Sequence, residues 1–218
     1  MQTDKLSSST VFKPILFSTP MVQAILSGSK TQTRRRVKSD ANYIQWQPIV
    51  LNGYGGFCDE HGKPVKPKYQ IGDILWVRET WQKLINNENP TNLLDAGFAY
   101  KATDTYPEIK WKPSLFMPKE ACRIFLEIED VKVERLQDIT EEDAINEGIF
   151  DMYRGKGIIG NAYRNYLDKE GGYDSVADDA IHSFQTLWQK INGISSWDDN
   201  PFVWVNSFKS IERPSNFC

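Results

Sequence analysis

Short apolar blocks separated by polar turns run through this chain, and their spacing predicts five or six strands with helices set between non-adjacent ones. Phe12 to Phe17 is apolar with a proline near its start, which suits an edge or first strand. A helix over Pro20 to Ser27 follows: Thr19 can cap it, Val22, Ile25 and Leu26 form its apolar stripe, and Gly28 provides a left-handed exit. Ile71-Gly72-Asp73 turns into a strand from Ile74 to Thr80, and Phe98 to Ala102 and Cys122 to Leu136 are further strands. In the last of these, Ile124, Leu126 and Ile128 alternate with charged neighbours. Thr140 and Asp143 form a near capping box for a short helix that Gly148 ends, with Glu141 and Glu142 at its positive end. Ser175 with Asp178 opens a longer helix whose Ala177, Ile181, Phe184, Leu187, Trp188 and Ile191 fall at helical spacing up to Gly193. Phe202 to Ile211 is a closing apolar strand, while Gly53 to Lys68 reads as a long loop or insertion. The pattern as a whole implies an α+β protein, a small mixed β-barrel with helical and loop additions.

Composition narrows the class. With 218 residues, 40% of them hydrophobic, and 7 Trp, 9 Tyr and 11 Phe, the chain can bury a real core and is not disordered. No apolar run reaches the roughly 18 residues that span a bilayer. Met1 to Thr10 is polar and Ser-rich, without the apolar block of a secretory signal, so a soluble cytoplasmic protein without membrane partners is expected. Cys58, Cys122 and Cys218 are far apart and read as free thiols. A formal charge of -3 argues against a broad grip on duplex nucleic acid but leaves room for a local basic cleft.

The densest chemistry is Gly28-Ser29-Lys30-Thr31-Gln32-Thr33-Arg34-Arg35, read as a cationic loop directly after the first helix. Such a cluster can bind phosphate or carboxylate, or can lower the pKa of Lys30 by crowding cations around it; a solvated basic turn is the plain alternative. Glu147 precedes the helix-ending Gly148 and thus sits at the negative end of a helix dipole. That position is unfavourable for a carboxylate unless a cation such as Lys30 approaches. On the strand from Ile74, Trp76 and Arg78 share one face and Glu79 and Trp81 the other, an arrangement able to hold a base or simply to pack. Gly155, Gly157 and Gly160 match GxGxxG without a βαβ setting and are taken as coincidence. His61 and His182 lack partner clusters, so neither a metal site nor a cofactor is expected.

These residues resemble the ASCH domain family, whose signature GxKxxxxR stands here as Gly28, Lys30 and Arg35. The likeness extends over PILFSTPMVQAILSG, QIGDILWVRETW, DITEEDAINEGI and FVWVNSFKSIE, and is greatest to longer members of phage and prophage type. It implies a PUA-like barrel over residues 12–213, with insertions at about 38–68, 83–121 and 151–200 and short tails at 1–11 and 214–218. Some small ASCH members are amidohydrolases that cleave N4-acylated cytidines with a Lys, a Thr and a Glu. The resemblance carries these roles to Lys30, Thr33 and Glu147, with Arg35, Arg34, Trp76 and Glu79 as substrate-binding candidates. Arg34 departs from the pattern, because small amidohydrolases have an apolar residue there. The implied activity is hydrolysis of an acylated cytosine nucleoside or nucleotide. The rival readings are an RNA-binding module and a ribonuclease using the same basic cleft.

Overall fold

The structure is a computed structural model that describes residues 11–37, 44–51, 54–59, 61, 64–84, 97–152, 162–168 and 176–217. In chain order the elements are β1 (Phe12–Leu16), α1 (Thr19–Leu26), β2 (Gln32–Arg36), β3 (Ile44–Leu51), β4 (Tyr54–Asp59), β5 (Pro64–Val65), β6 (Ile74–Arg78), β7 (Trp81–Lys83), β8 (Phe98–Tyr100), β9 (Phe125–Arg135), α2 (Glu141–Asn146), β10 (Tyr163–Arg164), β11 (Val176–Ala177), α3 (Ala180–Asn192) and β12 (Phe202–Ile211). The fold is α+β, mostly sheet with few helices, and no closed barrel is found among the described residues. No helix among them is long and apolar enough to cross a membrane.

The main sheet has the order β1-β6-β9-β12-β2. β1 runs parallel to β6, with Phe12 opposite Ile74, and β6 runs antiparallel to β9. β12 runs antiparallel to β2, with Val203 opposite Arg36 and Ser207 opposite Gln32. By contacts the chain divides into two compact units, one of residues 1–28, 71–129 and 208–218 and the other of residues 29–70 and 130–207.

In the first unit, Trp76, Trp81, Met117, Cys122, Phe125 and Phe217 form a buried cluster. Phe217 lies in the stretch read as a C-terminal tail, yet its ring meets Phe125 edge-on at 4.8 Å. Both described thiols, Cys58 and Cys122, are buried, and burial pushes Cys122 up to about 11. In the second unit, α3 turns Phe184 and Trp188 inward as its helical spacing predicts, against Leu136, Ile149, Val203 and Val205.

Three sequence expectations need correction. The stretch from Ser29 to Val37 is not a loop throughout, because Gln32–Arg36 is strand β2 with Gln32, Thr33 and Arg34 buried. The segment from Gly53 to Lys68 contains strands β4 and β5. The long helix begins at Ala180 with Asp179 as its N-cap, whose side chain accepts from His182 N at 2.6 Å, since Val176–Ala177 upstream is paired with β10 instead. Smaller shifts occur at α1, which starts at Thr19 after Ser18, and at β6, which ends at Arg78. Gly155, Gly157, Gly160, Ser175 and Cys218 lie outside the described residues.

Candidate functional site

The second unit joins the start of β2 to the end of α2. Thr140 caps α2 by accepting from Asp143 N at 3.1 Å, and the Asp143 carboxylate accepts in return from Thr140 N, which completes the capping box. Glu147 is the C-cap, and Gly148 at φ 94° leaves the helix in the left-handed region that glycine favours. Lys30 forms an antiparallel bridge with Glu147, and Thr31 N donates to Asn146 O at 2.9 Å. The two residues are thus held together through their main chains before their side chains are considered.

Lys30 Nζ donates to the Glu147 carbonyl at 2.6 Å and to Glu147 Oε2 at 2.8 Å. One amino group therefore meets both the helix-terminal carbonyl, which lacks an intrahelical donor, and the carboxylate at the negative end of α2. This cation offsets the unfavourable position of Glu147. The side chains of Lys30 and Glu147 are 0% and 4% exposed, so the pair is sealed from bulk water. Burial lowers the pKa of Lys30, and Glu147 opposes that shift by charge and hydrogen bond. Arg35 and Arg34 lower it further but are the smallest causes, so cation crowding contributes in the expected direction and burial leads.

Arg34 occupies the carboxylates around this pair. Its Nη2 lies 2.6 Å from Glu134 Oε1 and 3.1 Å from Asp143 Oδ2, and its Nη1 lies 3.4 Å from Glu147 Oε1. The guanidinium carbon sits 5.9 Å from the Phe184 ring centre. Gln32, two residues before Arg34 and on the same face of β2, donates to Asp143 Oδ1 at 2.8 Å. For Asp143, burial acts upward, but the Gln32 and Thr140 hydrogen bonds and the Arg34 charge outweigh it and hold the carboxyl below its ordinary range. The result is a network of alternating charge in which Arg34 ties Glu147, the partner of Lys30, to α2 and β9.

Thr33 and Arg35 lie on the other face of β2 by strand alternation. Thr33 is 2% exposed and stands opposite Asn206 of β12, and Arg35, half-buried, stands opposite half-buried Trp204. Trp76 and Glu79 belong to the first unit. There Trp76 packs in the aromatic cluster, and Glu79, 1% exposed, is gripped by Arg123 through both oxygens at 2.9 and 3.0 Å. His61 is in an exposed turn and His182 is on the surface of α3. Among the described residues, no group of three or more His, Cys, Asp or Glu is placed to hold a metal ion.

Sequence reasoning brings Lys30 and Glu147 forward together but misses Gln32, Glu134, Asp143 and Asn206. Glu134 is separated from Arg34 by 100 positions, and nothing local marks it. Asp143 is visible only as a capping residue, a role it also fills. Asn206 carries a usable signal, because it interrupts the apolar and aromatic run of β12 at a buried position. Compared with protein-family models, with curated proteins and with solved structures, the chain gives no match in any of the three.

Proposed function

We propose that the second unit carries an amide-hydrolysing site for an N4-acylated cytosine nucleoside or nucleotide, on a scaffold of PUA-like, ASCH type. The observation that carries this reading is the buried contact of 2.8 Å between Lys30 Nζ and Glu147 Oε2, two residues 117 positions apart that the family resemblance pairs as proton-handling groups. A structural ion pair needs only charge balance. Here burial also draws the proton affinity of Lys30 down, the direction a general base requires.

By the roles the family resemblance assigns, Thr33 Oγ1 attacks the acyl carbon while neutral Lys30 takes the hydroxyl proton, a step that requires the Thr33 hydroxyl to reach Lys30 from the other face of β2. The C–N4 bond then breaks as a proton passes, through Glu147, to the leaving nitrogen, releasing cytidine and an acyl ester on Thr33. Water attacks that ester with Lys30 again accepting a proton, which frees the carboxylic acid and restores the hydroxyl. Glu147 opposes the loss of the Lys30 proton by charge and hydrogen bond, and burial outweighs it. Arg34 positions Glu147, and Arg35 is the candidate for binding a carbonyl or phosphate oxygen of the substrate. Glu79, with both oxygens bound by Arg123, and Trp76, in the core of the first unit, serve packing in this scheme.

Mass spectrometry of N4-acetylcytidine incubated with the protein, as free nucleoside and within an RNA oligomer, tests the proposal. The expected product is cytidine, or cytidine within the intact oligomer, together with acetate. Strand scission with the acetyl group retained would support the ribonuclease reading, and an unchanged substrate in both forms would reject catalysis on this class.

A further inference from the structure

Asn206 is 1% exposed, in the middle of β12 and opposite Thr33. Its Nδ2 donates to Thr33 O at 3.2 Å and to Trp204 O at 3.3 Å. Both partners are carbonyls, which can only accept, so they fix which end of the amide is nitrogen. The other end, Oδ1, is buried and accepts no hydrogen bond from any described residue. A buried acceptor left in that state is costly, and native proteins pair such atoms with few exceptions.

We propose that Asn206 is a substrate-binding residue whose Oδ1 accepts a hydrogen bond from the amide N–H of the acylated base. The inference rests on the hydrolase reading and names how that site recognises its substrate. An unpartnered acceptor demands a donor. In an N4-acylcytosine the ring N3 and O2 are acceptors and N1 bears the sugar, so the base has one N–H, the one in the scissile amide. Directly opposed residues of an antiparallel pair have Cβ atoms about 4.5 to 5.5 Å apart on one face. Thr33 and Asn206 form such a pair, which lets the hydroxyl meet the acyl carbon while Asn206 holds the adjoining nitrogen. Half-buried Arg35 and Trp204, opposed one step along the same face, extend it with a cation and an aromatic surface suited to a nucleoside.

Calorimetric titration of N4-acetylcytidine and of its N4-methyl derivative, which lacks the N–H, into wild type and Asn206→Leu tests the proposal, with thermal melting to verify folding. Wild type should bind the N–H compound about tenfold or more tightly than the methylated one, because a site built around a hydrogen bond rejects a ligand that lacks it. Asn206→Leu is similar in shape, so a purely steric rejection of the methyl group would persist in it. Discrimination within about twofold in the folded variant is the expected result. Discrimination retained in that variant, or equal binding of the two compounds by wild type, would overturn the role of Asn206 while leaving the hydrolase reading intact if acetate is still released. If Asn206→Leu does not fold, Asn206→Asp, which keeps an acceptor, takes its place and should preserve the preference for the N–H compound; its loss there would count against the proposal. Wild-type protein that neither binds nor hydrolyses N4-acetylcytidine would overturn both readings.

Discussion

A lysine with no exposed side-chain surface, held between a carboxylate and a helix-terminal carbonyl, behaves differently from the same residue on a surface. Lys30→Arg keeps charge and donors but cannot lose its proton under ordinary conditions. Hydrolysis of N4-acetylcytidine should therefore fall by about two orders of magnitude or more, while nucleoside affinity falls far less. Thr33→Ser should retain measurable turnover and Thr33→Val should not; activity surviving both Lys30→Arg and Thr33→Val would place the chemistry elsewhere. The same burial makes a prediction about stability. An unfolded chain keeps the lysine proton up to its ordinary value of 10.5, whereas folded Lys30 releases it at lower pH. Between those two points the unfolded state binds more protons, so the contribution of Lys30 to stability rises with pH there, and below the folded value the full burial penalty remains. Urea unfolding of wild type and Lys30→Met across alkaline pH should show their stability difference shifting in favour of wild type as pH rises toward 10.5. A shift in the opposite direction would mean that Glu147 dominates and holds the lysine pKa above its ordinary value.

At the scale of elements, α2 is short, and six residues cannot sustain a helix on propensity alone. Its capping box supplies the missing partners, and its C-cap is Glu147 itself, so the cap and the site share one small scaffold. Thr140→Ala should cost about 1 kcal/mol in urea unfolding, the usual loss at an N-cap, and should lower hydrolysis by displacing Glu147 at the other end. A stability loss with unchanged turnover would show that the Lys30 bridge alone positions the carboxylate. Both the box and the Gly148 exit were legible in the sequence, because capping is local chemistry written within a few residues. β12 and the inward face of α3 were legible for a similar reason, since their apolar spacing reports burial directly. Strand β2 was not. Its Gln32, Thr33 and Arg34 read as part of a solvated turn, and pairing with β12 together with the carboxylates of Glu134, Asp143 and Glu147, supplied from more than 90 positions away, makes a buried strand of them. The start of α3 was misjudged because the pairing of β10 with β11, a long-range event, claims Val176–Ala177.

Across the whole molecule, the charge balance bears on what the site can take. With 26 Lys and Arg against 29 Asp and Glu, the chain has a formal charge of -3, and the Lys30 and Arg34 cations are bound to carboxylates of their own. Little of the positive charge near Lys30 is thus left for a run of phosphates. A protein that neutralises several phosphates releases as many counterions, and its affinity falls steeply as salt rises. A neutral nucleoside releases none. Raising monovalent salt from about 50 to 200 mM should therefore change KM for N4-acetylcytidine by less than about twofold, whereas a grip on six or more phosphates would weaken binding by about 10³-fold or more over that range. An acetylated RNA oligomer should lie near the nucleoside end of this scale, with a shallow slope set by Arg35 and the one or two phosphates flanking the modified base. Steep salt dependence for the oligomer combined with flat dependence for the nucleoside would reveal an RNA track outside the Lys30 site. Steep dependence together with failure to release acetate from either substrate would instead move the chain into the class of RNA-binding modules.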